Sequence, residues 1–261
     1  MIHIFTIHPE DHWVDIQLKQ FEKYIKEPYK VYTRLGQNND QHAKKFAVCL
    51  DGKDHQCKSF GKVVDKVRSS IKPEDIVIRM DSDAFPISDD FITVISEKLK
   101  DKSMVAMEEP EHELNLKIMP HPAFMAFSGG TFIGEGLDKY LSVMSIQYSN
   151  WWGKVMNWVN TKNRTYYPLQ RTNKVNLHRL YYGIYEDIVY HHWAGSRKMV
   201  TRADRRKASK TGEKLEDIIN SNHETSKLVL EYLQDQDQID KLIEFLAGED
   251  SSELKIGDFR I

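Results

Sequence analysis

Ile76-Val77-Ile78-Arg79-Met80-Asp81-Ser82-Asp83-Ala84-Phe85-Pro86 carries the strongest structural signal in the chain. A β-rich apolar run stops abruptly at two carboxylates one residue apart, and a proline-containing turn follows. Side chains alternate across a strand, so residues i and i+2 share a face. Extended geometry therefore predicts Asp81 and Asp83 on one side at the carboxyl end of the strand. Open α/β sheets take their ligands at that end. Paired carboxylates there suit a hard divalent cation, or a cation bound together with a diphosphate. Asp-x-Asp alone is common in solvated turns and is a weak motif. Its place directly behind a buried strand gives it meaning.

Working outward, Ile2, Ile4 and Ile7 mark a first strand that breaks at His8-Pro9, and Val14, Leu18, Phe21 and Ile25 recur at helical spacing. Residues 29–33 read as a second strand, and the polar stretch 36–54 as loop. Phe60, Val63, Val64, Val67 and Ile71 define an amphipathic helix that stops before Pro73. Beyond the acidic pair, Ser88 reads as an N-cap with Asp89 and Asp90 in the first turn. That helix buries Phe91, Val94, Ile95 and Leu99, and residues 104–107 form another strand. Strands alternating with helices predict an α/β fold with a mostly parallel sheet flanked by helices and right-handed crossovers. Residues 110–190 look irregular and aromatic-rich, as substrate-facing loops do. From Gly212 the chain turns acidic and helical, with an apolar stripe of Ile239, Leu242, Ile243 and Leu246 that suits packing on the main domain or on a partner. The expected organisation is a catalytic α/β domain over 1–211 and a helical extension over 212–261.

Composition narrows the function classes. Of 261 residues, 40% are hydrophobic and 29% charged, enough for a substantial core in a soluble chain. The net charge of −2 argues against a general nucleic-acid binder. Cys49 and Cys57 have neither zinc-ligand spacing nor a disulfide framework, so reduced thiols and a cytoplasmic location are expected. The start Met1-Ile2-His3-Ile4 lacks the basic region of a signal peptide, and no apolar run approaches the roughly 18 residues of a membrane span. The sequon Asn163-Arg164-Thr165 matters only in a secreted protein. There is no G-x-G-x-x-G and no Walker sequence, which removes support for dinucleotide redox chemistry and P-loop phosphoryl transfer.

A second cluster lies far along the chain: Tyr185-Glu186-Asp187-Ile188-Val189-Tyr190-His191-His192-Trp193-Ala194-Gly195-Ser196-Arg197-Lys198. Imidazole is a good ligand for Mn²⁺-like ions, and a distant His can complete a site begun by two carboxylates. The bland alternative is a pair of hydrogen-bonded strand-end histidines. Gly195 permits close backbone approach to a ligand. Arg197 and Lys198 suit phosphate oxygens, one as a fork and the other as a point charge. They open a basic segment that runs on to Lys210, whose distal half reads as a solvated face. Trp151, Trp152 and Trp158 offer flat faces to a sugar ring, but their spacing suits helix core positions better.

Together these segments resemble the GT-A-fold, nucleotide-sugar-dependent glycosyltransferases. Asp81-Ser82-Asp83-Ala84-Phe85-Pro86-Ile87 resembles their D-x-D strand end. His191-His192-Trp193-Ala194-Gly195-Ser196-Arg197 resembles the metal-histidine and phosphate segment of small single-domain bacterial and large-DNA-virus members. Pro120-His121-Pro122-Ala123-Phe124 resembles a segment lying between the two. The likeness covers about residues 1–200 and leaves the helical tail outside it.

The resemblance implies a GT-A-like (Rossmann-like) fold and a hexosyltransferase-type enzyme. Such an enzyme moves a sugar from a nucleoside-diphosphate sugar, by default a UDP-sugar with Mn²⁺ or Mg²⁺, to a hydroxyl acceptor such as a glycan. Asp83 would ligate the metal directly, and Asp81 would reach the ribose or the metal through water, with Ser82 between them in the donor site. His192 would be the third ligand, with His191 as the fallback. Arg197 and Lys198 would stabilise the departing diphosphate. Thr6 and His8 would lie near the base, with Arg79 and His55 as weaker nucleotide contacts. An inverting enzyme needs a carboxylate base for the acceptor hydroxyl. Glu186 and Asp187 are the candidates, with Glu108, Glu109 and Glu111 as alternatives.

Two other readings stay open. A nucleotidyltransferase acting on sugar phosphates binds similar ligands, but would show a glycine- and basic-rich loop where this chain has Thr6-Ile7-His8-Pro9-Glu10-Asp11. A non-catalytic sugar-nucleotide-binding module would retain the pocket without turnover. A haloacid-dehalogenase-type phosphatase, which also uses D-x-D, is disfavoured by Phe85 and by the depth of the motif in the chain.

Overall fold

The computed structural model describes residues 1–8, 12–35, 40–51, 56–108, 120–137, 155, 158–160, 163–177, 181–192, 202–248, 255–256 and 259–260. These fall into two compact units, Met1–Gln170 and Arg171–Ile261.

The first unit is built on a seven-stranded sheet. Its elements in chain order are β1 (Ile2–His8), α1 (His12–Tyr24), β2 (Tyr29–Leu35), α2 (Asp40–Ala43), β3 (Val48–Asp51), α3 (Gln56–Val67), β4 (Ile76–Asp81), β5 (Ala84–Pro86), α4 (Phe91–Asp101), β6 (Met104–Glu108), β7 (Pro120–Ser128) and β8 (Tyr166–Leu169). The strand order is β3-β2-β1-β4-β7-β6-β8, with β5 outside this sheet. All pairings are parallel except those of β7, which runs antiparallel to both β4 and β6. This is the expected mostly parallel α/β sheet flanked by helices.

Alternation along the strands splits the core between the two faces. Phe5, Tyr32, Val77, Ala106, Met125 and Phe127 pack with Phe60, Val63 and Val64 of α3 on one face. On the other face, Thr6 bonds to Gln17 of α1, and the ring of Phe124 meets that of Phe91 of α4 at 5.9 Å. Trp158 is fully buried in the α3-side core, as its helical spacing suggested.

Three elements differ from expectation. The 36–54 stretch contains β3, four residues long and too short to show alternation. Residues 110–190 include the nine-residue β7, which begins Pro120-His121-Pro122. Proline lacks an N–H for a sheet ladder and favours strand starts and bulges. The pairing of β6 with β7 shifts register between Ala106 and Met107, opposite this proline segment. The His121 imidazole there accepts from the Ala123 N–H at 3.1 Å. Finally, α4 starts at Phe91 with Asp90 as its N-cap. Ser88 instead closes a turn just before the helix, its hydroxyl accepting from the Asp90 N–H at 3.2 Å.

The second unit contains the hairpin β9 (Gly183–Tyr185) and β10 (Val189–His191), three helices, α5 (Arg202–Thr211), α6 (Leu215–Tyr232) and α7 (Gln236–Ala247), and a short pair β11 (Lys255–Ile256) and β12 (Phe259–Arg260). The tail is helical as its periodicity predicted. The 211/212 boundary expected from sequence falls inside this unit, where Gly212 at φ 75° separates α5 from α6. The Asn222 amide of α6 donates to the Asp204 carboxylate of α5 at 2.7 Å. α7 starts on Asp235, whose side chain caps the Asp237 N–H at 2.9 Å, and stops at left-handed Gly248. Its buried stripe is Ile239, Leu242, Phe245 and Leu246, with Ile243 only partly covered.

Candidate active site

Strand β4 ends at Asp81, and Ser82 and Asp83 form a turn before β5. The two carboxylates therefore meet across a turn rather than by alternation along one strand. Their ligand oxygens lie within 4.8 Å of one another. Asp81 also pairs with Arg79, two residues back on β4, at 3.0 Å. The Asp81 side chain is 34% exposed and that of Arg79 15%, so the acid stays within reach of a ligand. Ser82 is buried.

A side chain from another element holds this turn. Gln17 of α1, 0% exposed, donates through Nε2 to the carbonyls of Asp81 at 2.8 Å and Ala84 at 2.6 Å. Its Oε1 accepts from the Thr6 hydroxyl of β1 at 3.0 Å. Backbone acceptors that a β-ladder would satisfy are thus met by one amide, and the ends of β1 and β4 are tied together. Sequence reading did not select Gln17. Its only signal was an amide at an inward position between Val14 and Phe21.

His8 ends β1 and is also 0% exposed. Its Nε2 lies 3.4 Å from Thr6 Oγ1. Burial pushes its pKa down to about 3, although a hydrogen bond with Gln17 and the charge of Asp83 oppose the shift. The imidazole is neutral at physiological pH. The donor set at the turn is two carboxylates, hard oxygen ligands that fit Mg²⁺ or Mn²⁺.

In the second unit, the candidate bases sit on a strained turn. Glu186 and Asp187 both have positive φ, at 48° and 55°, and the Ile188 N–H closes the turn on the Tyr185 carbonyl at 3.0 Å. Two consecutive left-handed residues make a type I′ turn, which ordinarily takes Asn-Gly. Thr172 holds it: its hydroxyl donates to the Asp187 carboxylate at 2.7 Å and accepts from the Asp187 N–H at 3.3 Å.

The two histidines differ in their surroundings. His192 is 0% exposed, its Nδ1 is 3.1 Å from the Tyr190 hydroxyl, and its Nε2 is 2.9 Å from the Ser226 hydroxyl. Both ring nitrogens are therefore engaged in hydrogen bonds inside this unit. His191 is buried at the end of β10. Glu108, at the end of β6, has its carboxyl pKa raised by burial. His55, Arg197, Lys198, Glu109, Glu111, Trp151 and Trp152 lie outside the described residues.

No protein-family model matches the sequence, and no curated protein matches it. Solved structures resemble this chain at low identity. The 4-diphosphocytidyl-2C-methyl-D-erythritol synthase of Anaerococcus prevotii is 10% identical over 65% of this chain and 86% of its own, with a TM-score of 0.43. A protein of Desulfovibrio desulfuricans described as a nucleotide-diphospho-sugar transferase is 7% identical over 65% and 78%, with a TM-score of 0.45. The bifunctional IspDF of Campylobacter jejuni is 12% identical over 65% and 49%, with a TM-score of 0.42. At these TM-scores the likeness carries no argument about what this chain does. Among the described residues, no helix is long and apolar enough to cross a membrane.

Proposed function

We propose that this chain is a metal-dependent glycosyltransferase that moves a sugar from a nucleoside-diphosphate sugar, in the first instance a UDP-sugar, to a hydroxyl acceptor such as a glycan. The reading rests chiefly on the acidic turn. Two carboxylates lie close together at the carboxyl end of a parallel strand, on a turn whose backbone carbonyls are braced by the buried amide of Gln17. Asp83 is assigned as a direct ligand of Mn²⁺ or Mg²⁺, and Asp81, restrained by Arg79, as a ligand or a ribose contact. His191, rather than His192, is assigned as the imidazole ligand, because the ring nitrogens of His192 are engaged with Tyr190 and Ser226. When bound, the cation supplies Lewis-acid stabilisation of the departing nucleoside diphosphate.

The chain's own residues supply the rest. Thr6, His8 and Ser82 contribute to the nucleoside site, with His55 as a further contact. Arg197 and Lys198 share the diphosphate charge. Glu186 or Asp187 takes the acceptor hydroxyl proton. Their left-handed turn is the kind of strain that is kept where side-chain direction matters. Residues 212–261 form an extension to the catalytic domain that offers a surface to a partner.

A thermal-shift screen of nucleoside diphosphates with and without Mn²⁺ tests the reading. A ligand that binds only the native state raises stability by about 2.7 kcal/mol at a hundredfold excess over Kd. A metal-dependent shift, abolished in Asp83→Ala, is the expected result. No shift with any nucleotide sinks the proposal. Pyrophosphate release from a nucleoside triphosphate and a sugar phosphate would instead identify a nucleotidyltransferase.

A further inference from the structure

The hydrogen bonds that radiate from Gln17 all run in one direction. Nε2 gives its two protons to the carbonyls of Asp81 and Ala84, which fixes the amide's orientation and leaves Oε1 purely an acceptor. The Thr6 hydroxyl has a single proton, and Oε1 receives it. Toward His8, Thr6 Oγ1 then has only lone pairs to offer. The imidazole nitrogen 3.4 Å away, Nε2, must therefore carry its own proton. A neutral imidazole has one N–H, so Nδ1 is left as a bare lone pair.

That lone pair is conspicuous. Nδ1 is fully buried and has no hydrogen-bond partner among the described residues. The ring packs tilted against that of Phe46, with centroids 5.8 Å apart, an apolar neighbour that offers no donor. Burial holds the ring neutral, so Nδ1 cannot relieve its isolation by picking up a proton. Among the described residues His8 belongs to no carboxylate–imidazole cluster of metal-ligand geometry. A buried acceptor without a donor is unfavourable, and native structures keep few of them. This one stands at the carboxyl end of β1, whose residue Ile7 pairs with Asp81 of the acidic turn.

We infer that His8 Nδ1 is a preset acceptor for a neutral N–H or O–H group on the bound ligand, and that Gln17 and Thr6 are positioning residues that fix its tautomer and tie it to the acidic turn. The inference deepens the proposed function and rests on it for the ligand's identity: the donor is then a nucleobase N–H or a ribose hydroxyl. A site built around an unmet acceptor rejects analogues that lack the matching donor far more strongly than an apolar pocket does.

Two measurements on the full chain test it. The first needs no nucleotide. Long-range ¹H–¹⁵N spectra of histidine-labelled protein, with His8 assigned through His8→Phe, should show a protonated Nε2 and an unprotonated Nδ1 from neutral pH down past the ordinary histidine range. Thr6→Val should mix the tautomers. An Nδ1–H tautomer in the wild type overturns the inference.

The second is calorimetric titration, with Mg²⁺ present, using UDP, its 3-N-methyl analogue and its 2′-deoxy analogue. One analogue should bind roughly tenfold or more weakly than UDP. The methylated compound implicates the base and the deoxy compound the ribose. His8→Phe should abolish that discrimination, and His8→Asn, whose amide oxygen can stand in for Nδ1, should restore part of it. Unchanged discrimination in His8→Phe overturns the inference. If UDP fails to bind while the spectrum still shows a bare Nδ1, the nucleotide reading falls and the preset acceptor stands.

Discussion

His191 and His192 are neighbours in sequence with different surroundings, and single substitutions should separate the roles proposed for them. His192 knits β10 to α6 through Ser226. His192→Ala should therefore lower stability by about 2 kcal/mol, through a buried hydrogen bond lost and a cavity left. His191→Ala should remove the metal-dependent nucleotide shift, which His192→Ala should retain. Denaturant melts and the thermal-shift assay, run on both variants, check the pair, and the reverse pattern would return the ligand role to His192. At this scale the acidic pair was legible because charge following an apolar run stands out in any window. Gln17 was not. An inward amide on a helix has no meaning until its partners are known, and the Asp81 carbonyl is 64 residues away in sequence.

Between elements, two backbone positions carry conformational demands that set testable limits. A Cβ on Gly129 would lie 1.9 Å from the Lys72 carbonyl oxygen. The Gly129 N–H meanwhile donates to the Asp75 carbonyl at 2.7 Å, which fastens the end of β7 to the entry of β4. Gly129→Ala should destabilise the fold by about 3 kcal/mol, visible as a lower denaturation midpoint. The Glu186–Asp187 turn makes the opposite prediction. Glu186→Gly relieves one left-handed residue without touching the Thr172–Asp187 bond. It should stabilise by about 1 kcal/mol while reducing sugar transfer, if Glu186 is the base. A gain in stability with full activity would move the base elsewhere. The long periodic helices and β4 were readable because their patterns repeat. β3 offered four residues with no alternation to detect. β7 hid behind two prolines, and much of its remaining length is buried too continuously to alternate.

Across the whole molecule, buried titrating groups bias the fold against acid. Burial lowers the His8 pKa to about 3, and it also lowers that of His3, although Asp75 pulls the other way. Both rings are protonated in the unfolded chain below its pKa near 6.5 before they are protonated in the native state. The stability they contribute is complete above that point and drains away as pH falls through it. Burial pushes the Asp75 carboxyl up, but hydrogen bonds from the Lys72 N–H, His3 and the terminal ammonium bring it below its ordinary value. It adds a second loss further into acid, as pH falls through the carboxylate range. The unfolding free energy should thus decline from pH 6.5 downward by an amount on the order of a few kcal/mol, read as a falling denaturation midpoint. His8→Phe should flatten the first part of that decline, and an unchanged slope would mean that His8 does not stay neutral in the fold. The layered α/β plan was visible from strand–helix alternation. The division after Gln170 was not, because a change of compact unit leaves no composition shift at that point.

The position of β7 also dictates an order of events during synthesis. β4 and β6 are consecutive long strands bridged by α4, yet they are not neighbours in the sheet, because β7 lies between them and pairs Ala126 with both Ile78 and Val105. A nascent chain that has emerged only as far as β6 carries two unsatisfied strand edges whose shared partner has not yet been made. Such edges are templates for wrong pairing, with each other or with another chain. β4 and β6 cannot be joined until Ser128 has left the ribosome, so the nine residues of β7 act as a late wedge between them, and β8 covers the far edge of β6 only afterwards.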